Sequence, residues 1–127
     1  MKYSYILTFQ GAYYVFTALW AIAALDHFSR VTGLHAEGLD LTDRFEMYSI
    51  AALALVLGLF FIWGAAKENL QRPAGFLALG SAVAVIVPEL IYLPQIGNPI
   101  LFWLDFAEES VVALLLVYLL FKSGSGD

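Results

Sequence analysis

Asp105, Glu108 and Glu109 stand together in the stretch "DFAEES" (105–110). On a helix, residues three and four apart are neighbours, so the three carboxyls share one face. Carboxyls grouped in this way can divide general acid and general base roles when their environments differ. Their surroundings sharpen the question. "NPILFWL" (98–104) precedes them and "VVALLLVYLLF" (111–121) follows. Acids inside an apolar helix are expensive in hydrocarbon and mark function by default, and their face must turn into the protein or into water.

Other polar residues qualify as partners. Glu89 lies late in an apolar run, directly after Pro88, which is expected to kink its helix or open the hydrogen-bond ladder. Asp26 and His27 close the first apolar stretch, and Arg44, Glu46 and Tyr48 open the second. Glu108, Glu109, Glu89 and His27 are the candidates for proton transfer. The ligand-binding candidates are Asp26, His27, Arg44, Glu46, Tyr48, Glu89, Asp105, Glu108 and Glu109. Each has a structural role open to it as well. Glu46 fits a capping box with Asp43. Asp26 and His27 suit a membrane interface. Arg44 can pair with Glu89, and it is expected to neutralise part of the acidic group.

The elements that must position these residues are membrane spans. The chain has 127 residues, of which 61% are hydrophobic and 13% charged. An ordinary soluble domain is about 45–50% apolar and about 25% charged. A spanning helix needs roughly 20 mostly apolar residues, and four segments supply them, at about 4–27, 45–66, 73–93 and 99–121. Pro73 and Pro99 suit the first turns of the third and fourth helices, where a missing N–H costs nothing. "QIGNP" (95–99) reads as a tight turn with Asn98 as the cap. Residues 28–44 form a longer, polar loop. The expected fold is a single all-α domain, an integral membrane four-helix bundle with antiparallel up-down-up-down topology.

Basic residues set the orientation. Lys2, Lys67, Arg72 and Lys122 fall on one side, and Arg30 and Arg44 on the other. Both termini are therefore expected in the cytoplasm. This topology gathers the candidate carboxyls in the outer half of the bundle and predicts a polar, outward-facing pocket. The inner half lacks polar steps for a transport path. With no cysteine in the chain, disulfides, thiolate metal sites and iron–sulfur clusters are excluded. A net charge of −5 with no basic patch argues against nucleic acid. The Glu-x-x-His motif of di-iron bundles is absent, so no metal site is expected. No residue pattern names a cofactor.

The stretch "DRFEMYSIAALALVLGLFFIWGAAKENLQRPAGFLAL" (43–79), the turn "GNP" (97–99) and Glu109 carry a resemblance. With Arg44, Gly58 and "RPA" (72–74), they resemble small bacterial four-helix proteins of the DoxX-like superfamily. "ALDHFSRVTGL" (24–34) extends the likeness more thinly. Two departures stand out. This chain has "SIAA" (49–52) where such proteins tend to have glycines, and Glu89 near where they tend to have an arginine. The resemblance implies a membrane four-helix bundle. Relatives in the wider superfamily include a subunit of a thiosulfate–quinone oxidoreductase and an assembly chaperone for receptor channels, which implies an accessory role. "PELIYLPQIGNPILFW" (88–103), with Glu46, is more faintly similar to the fold of sterol isomerases and the sigma-2 receptor. Those proteins enclose an apolar ligand and use intramembrane carboxylates to hold an amine or move protons.

Two functions follow as expectations. One is binding of a lipid- or quinone-like molecule, or service as an accessory subunit or assembly factor in a membrane complex or homo-oligomer. Gly58, Gly64, Gly75 and Gly80 are expected to allow close helix contact with a partner. The alternative is an intramembrane acid–base enzyme, isomerase-like, acting on an apolar substrate.

Overall fold

The computed structural model describes residues 2–34, 38–97 and 99–124. It is all-helical, with no strand among the described residues. The elements are α1 (Tyr3–Ala23), α2 (Leu25–Thr32), α3 (Leu41–Ala65), α4 (Glu68–Tyr92) and α5 (Ile100–Gly124). A single 3-10 turn, Leu93–Gln95, follows α4.

Three stretches among the described residues are long and apolar enough to cross a membrane: Tyr3–Ala23, Leu41–Ala65 and Glu68–Gln95. Only 22% of the apolar window is buried inside the protein in each of the last two, so most of their surface faces outward. That surface is hydrocarbon: Ile50, Leu53, Val56 and Leu59 on α3 and Val83, Val87 and Leu90 on α4 are all exposed. Water would not sustain such a surface, whereas a bilayer solvates it. Three hydroxyls within these helices bond back to their own turn. Thr17 donates to the Tyr13 carbonyl at 2.7 Å, Ser49 to Phe45 at 2.8 Å and Ser81 to Leu77 at 2.9 Å. Polar groups facing lipid need such internal partners. Helix α5 has the length as well, with 25 residues. Asp105, Glu108 and Glu109 in its first half set it apart.

Several sequence-based boundaries move. The first span does not run to residue 27. Ala24 leaves helical geometry (φ −146°, ψ 62°), and α2 starts afresh at Leu25, taking up part of the expected loop. The cap of α3 is Asp40 rather than Asp43. Asp43 N–H donates to Asp40 Oδ1 at 2.7 Å, and Asp40 N–H donates to Asp43 Oδ2 at 3.1 Å. This reciprocal box satisfies two amides that the first turn leaves orphaned. It moves the helix start to Leu41 and leaves Glu46 without a capping role. Helix α4 starts at Glu68, so Pro73 sits inside it, as does Pro88. The chain stays helical through Pro88, although the Ala84 carbonyl loses the donor that residue 88 would supply. Pro99 precedes α5, its carbonyl accepting from Phe102 at 3.1 Å and Trp103 at 3.2 Å. Asn98, expected as a cap, lies outside the described residues.

The closest helix pair is α1 with α3, and the next α4 with α5; α1 meets α5 more sparingly. Glycine explains the first pair. A Cβ on Gly58 would lie 2.8 Å from the Gly11 carbonyl oxygen, and one on Gly11 would lie 2.7 Å from the Gly58 carbonyl oxygen. The two backbones touch because neither residue carries a side chain. Gly64 similarly meets Ala74, and Gly75 meets the Tyr3 ring. Three of the four glycines expected to serve a partner are therefore used within the chain, and Gly80 alone of them has open space around it. The central core joins Leu7 and Tyr14 of α1, Phe61 of α3, Ala78 of α4 and Leu116 of α5. A second cluster packs Leu25 and Phe28 of α2 against Met47 and Ala51 of α3.

Candidate functional site

The site is built across α1, α4 and α5. Helix α5 presents Asp105, Glu108 and Glu109 on one face, and one carboxyl oxygen from each lies within 4.8 Å of the others. Facing them, α1 presents Gln10, Tyr13 and Tyr14, themselves spaced to share a face. Gln10 is fully buried, and its Nε2 donates to Glu109 Oε2 at 2.7 Å. The Tyr13 hydroxyl donates to Asp105 Oδ1. These two bonds tie α1 to α5 across a seam that is otherwise thinly packed. Tyr14 brings its hydroxyl beside Glu109 and Gln10 without forming a normal hydrogen bond to either.

Helix α4 contributes Glu89, which is 8% exposed. Its carboxyl faces Asp105, with Glu108 and Glu109 beyond, and neither oxygen makes a normal hydrogen bond. Both Glu108 oxygens are likewise buried without a partner. The charged neighbours acting on Glu89, Glu108 and Glu109 are other carboxyls, and Glu109 also has the Tyr14 hydroxyl beside it. Buried polar groups are normally paired, and an unpaired one carries its full desolvation penalty. Four carboxyls gathered in this way are therefore an expensive arrangement that the fold nevertheless builds.

Glu108 also borders a groove of about 460 Å³ between α1 and α5. Its walls include Tyr5, Ile6 and Phe9 from α1 and Val111 and Leu115 from α5, and Glu108 is its one ionisable carboxylate. The groove opens sideways between the two helices, since Tyr5, Phe9 and Val111 are all exposed. It runs from the acids toward the start of α1, whereas the sequence led us to expect a polar pocket toward the α2 end. The difference follows from packing. The α1–α5 seam is held at Gln10 and Tyr13, and below those residues no glycine pair draws the helices together.

The remaining candidates lie elsewhere. Arg44 does not meet Glu89 or Glu109. Its Nη2 donates to Asp26 Oδ1 at 2.7 Å, in a solvent-accessible pair. The break at Ala24 is what brings Asp26, on α2, to the start of α3. His27 accepts at Nδ1 from Trp20 Nε1 at 2.9 Å, its ring tilted 55° to the indole. Glu46 and Tyr48 are exposed on α3. So Glu89, Asp105, Glu108 and Glu109 come together, while Asp26, His27 and Arg44 form a separate surface group and Glu46 and Tyr48 join neither. Gln10 was absent from the sequence-derived set. The signal was present: Gln10 interrupts the apolar run of "YILTFQGAYYVF" (5–16) with an amide that lipid would not tolerate unpaired.

No family model, no curated protein and no solved structure matches the chain.

Proposed function

We propose that the chain is a four-helix antiparallel bundle of a bacterial inner membrane with both termini cytoplasmic, and that it binds a hydrophobic small molecule, lipid- or quinone-like. The apolar body lies in the α1–α5 groove and the polar end meets Glu108. One observation carries this reading: a buried carboxyl with no partner stands at the edge of a groove that is otherwise apolar. Ligand sites have this composition, with apolar walls and few polar groups to fix orientation. In the proposed topology the groove lies in the cytoplasmic leaflet, because it runs toward the end that carries Lys2, Lys67, Arg72 and Lys122. Kinship with the DoxX-like superfamily forms part of the same proposal.

Two further readings keep specific support. Acid–base chemistry on an apolar substrate, of the isomerase type, is favoured by the free Glu108 standing next to Glu109, whose Oε2 is already held by Gln10. An accessory or assembly role is favoured by Gly80, a small residue left uncovered on α4.

Native mass spectrometry of the protein taken from its own membranes in mild detergent separates these. Binding predicts a small-molecule adduct on the wild type that is lost in Glu108→Gln. A stoichiometric set of other proteins without an adduct supports the accessory role and counts against the ligand.

A further inference from the structure

We infer that Asp105, Glu108, Glu109 and Glu89 form a binding site for one hard divalent cation, of the magnesium, calcium or manganese class. The spacing is the first ground. Such ions bind oxygens at about 2.0–2.6 Å, so ligand oxygens on one ion lie at most roughly 4–5 Å apart. The oxygens of Asp105, Glu108 and Glu109 meet that condition, all within 4.8 Å of one another. A second ground is independent of the cluster on α5. Glu89 comes from a different helix, is 8% exposed, faces the three acids and has no hydrogen-bond partner on either oxygen. A fold that buries such a group leaves its two oxygens for something else to satisfy.

The donor set fixes the class of ion. It is all oxygen, with no nitrogen or sulfur among its members, and oxygen donors suit magnesium, calcium and manganese rather than copper or zinc. The neighbours have the form of an outer shell. Gln10 holds Glu109, and Tyr13 holds Asp105, each through one carboxyl oxygen. Outer hydrogen bonds of this kind orient metal ligands. Access is short as well: Asp105 lies roughly 8 Å along α5 from its start, and Glu89 lies one turn before the end of α4. An ion can therefore enter from the α4–α5 connection, while an apolar molecule enters from the groove on the other side of Glu108.

The probe is manganese(II) alone, titrated into chelator-treated protein in detergent and followed by electron paramagnetic resonance. The expected result is one bound ion per chain, displaced by calcium or magnesium. Gln10→Ala should weaken binding roughly 10–100-fold, and Glu89→Gln at least as much. Glu46→Gln, which alters an exposed carboxyl on α3, should leave binding unchanged. No binding by the wild type at millimolar manganese would overturn the inference, whatever the variants do. So would equal binding in wild type and a folded Glu89→Gln, Glu109→Gln double variant, because the ions would then sit on surface acids.

Discussion

Glu109 is anchored by an amide, and that fact sets what its removal does. Gln10 Nε2 donates to Glu109 Oε2 at 2.7 Å, with both side chains buried. Glu109→Gln keeps an oxygen acceptor in place, so its melting temperature in detergent should stay close to that of the wild type. Glu109→Leu leaves the Gln10 amide without its acceptor and should cost about 1–3 kcal/mol, read as a lower thermal midpoint. Neither change touches Arg44, which is bound to Asp26. A salt-sensitive loss of stability in Glu109→Gln would contradict this assignment. At this scale the sequence showed the acids well and their partners poorly. The i, i+3 and i+4 spacing announces the shared face of Asp105, Glu108 and Glu109. Gln10 and Tyr13 are neutral, and only the folded arrangement shows which carboxyl each one holds.

At the scale of elements, two contacts make opposite predictions for similar changes. Gly58 faces the Gly11 carbonyl so closely that a methyl group would sit 2.8 Å from it. Gly58→Ala should force α1 and α3 apart and cost about 1–3 kcal/mol. At Gly80, a methyl group would meet nothing within 4 Å. Gly80→Ala should therefore be neutral or stabilising by up to about 1 kcal/mol, since alanine is the better helix former. If Gly80 instead meets a partner protein, Gly80→Ala should reduce that association in a pull-down. The cap of α3 gives a third test. Asp40→Ala removes one half of the reciprocal pair with Asp43 and should cost about 1 kcal/mol by thermal melting; Asp43→Ala should cost a similar amount. The helices themselves were legible from apolar runs, but their starts were not. Asp40 and Asp43 both have the chemistry of a cap, and only the backbone decides between them. Pro73 looks like a boundary in sequence, yet it lies inside α4, as Pro88 was expected to lie inside its helix. The break at Ala24 has no glycine or proline to announce it.

The whole molecule presents an apolar exterior with carboxyls gathered inside, and each half of that description has its own test. The proposed topology expects a fluorescent reporter fused after residue 124 to shine in the cytoplasm. It also expects an export-dependent reporter inserted at Gly38 to be active outside. A silent C-terminal fluorophore would reverse the orientation and move the groove to the other leaflet. The composition made the membrane setting legible, and the location of the groove was not, because it depends on how closely α1 and α5 approach below Gln10. The central claim is that this groove holds a specific hydrophobic molecule whose polar end meets Glu108. Photo-crosslinking tests it most directly, with a diazirine side chain placed at Val111 on the groove wall and, as a reference, at Leu53 on the exposed face of α3. The account predicts one discrete small-molecule adduct from position 111 in native membranes, lost on adding Glu108→Gln and absent from position 53. The same mixture of bulk-lipid adducts from both positions, unchanged by Glu108→Gln, would contradict it.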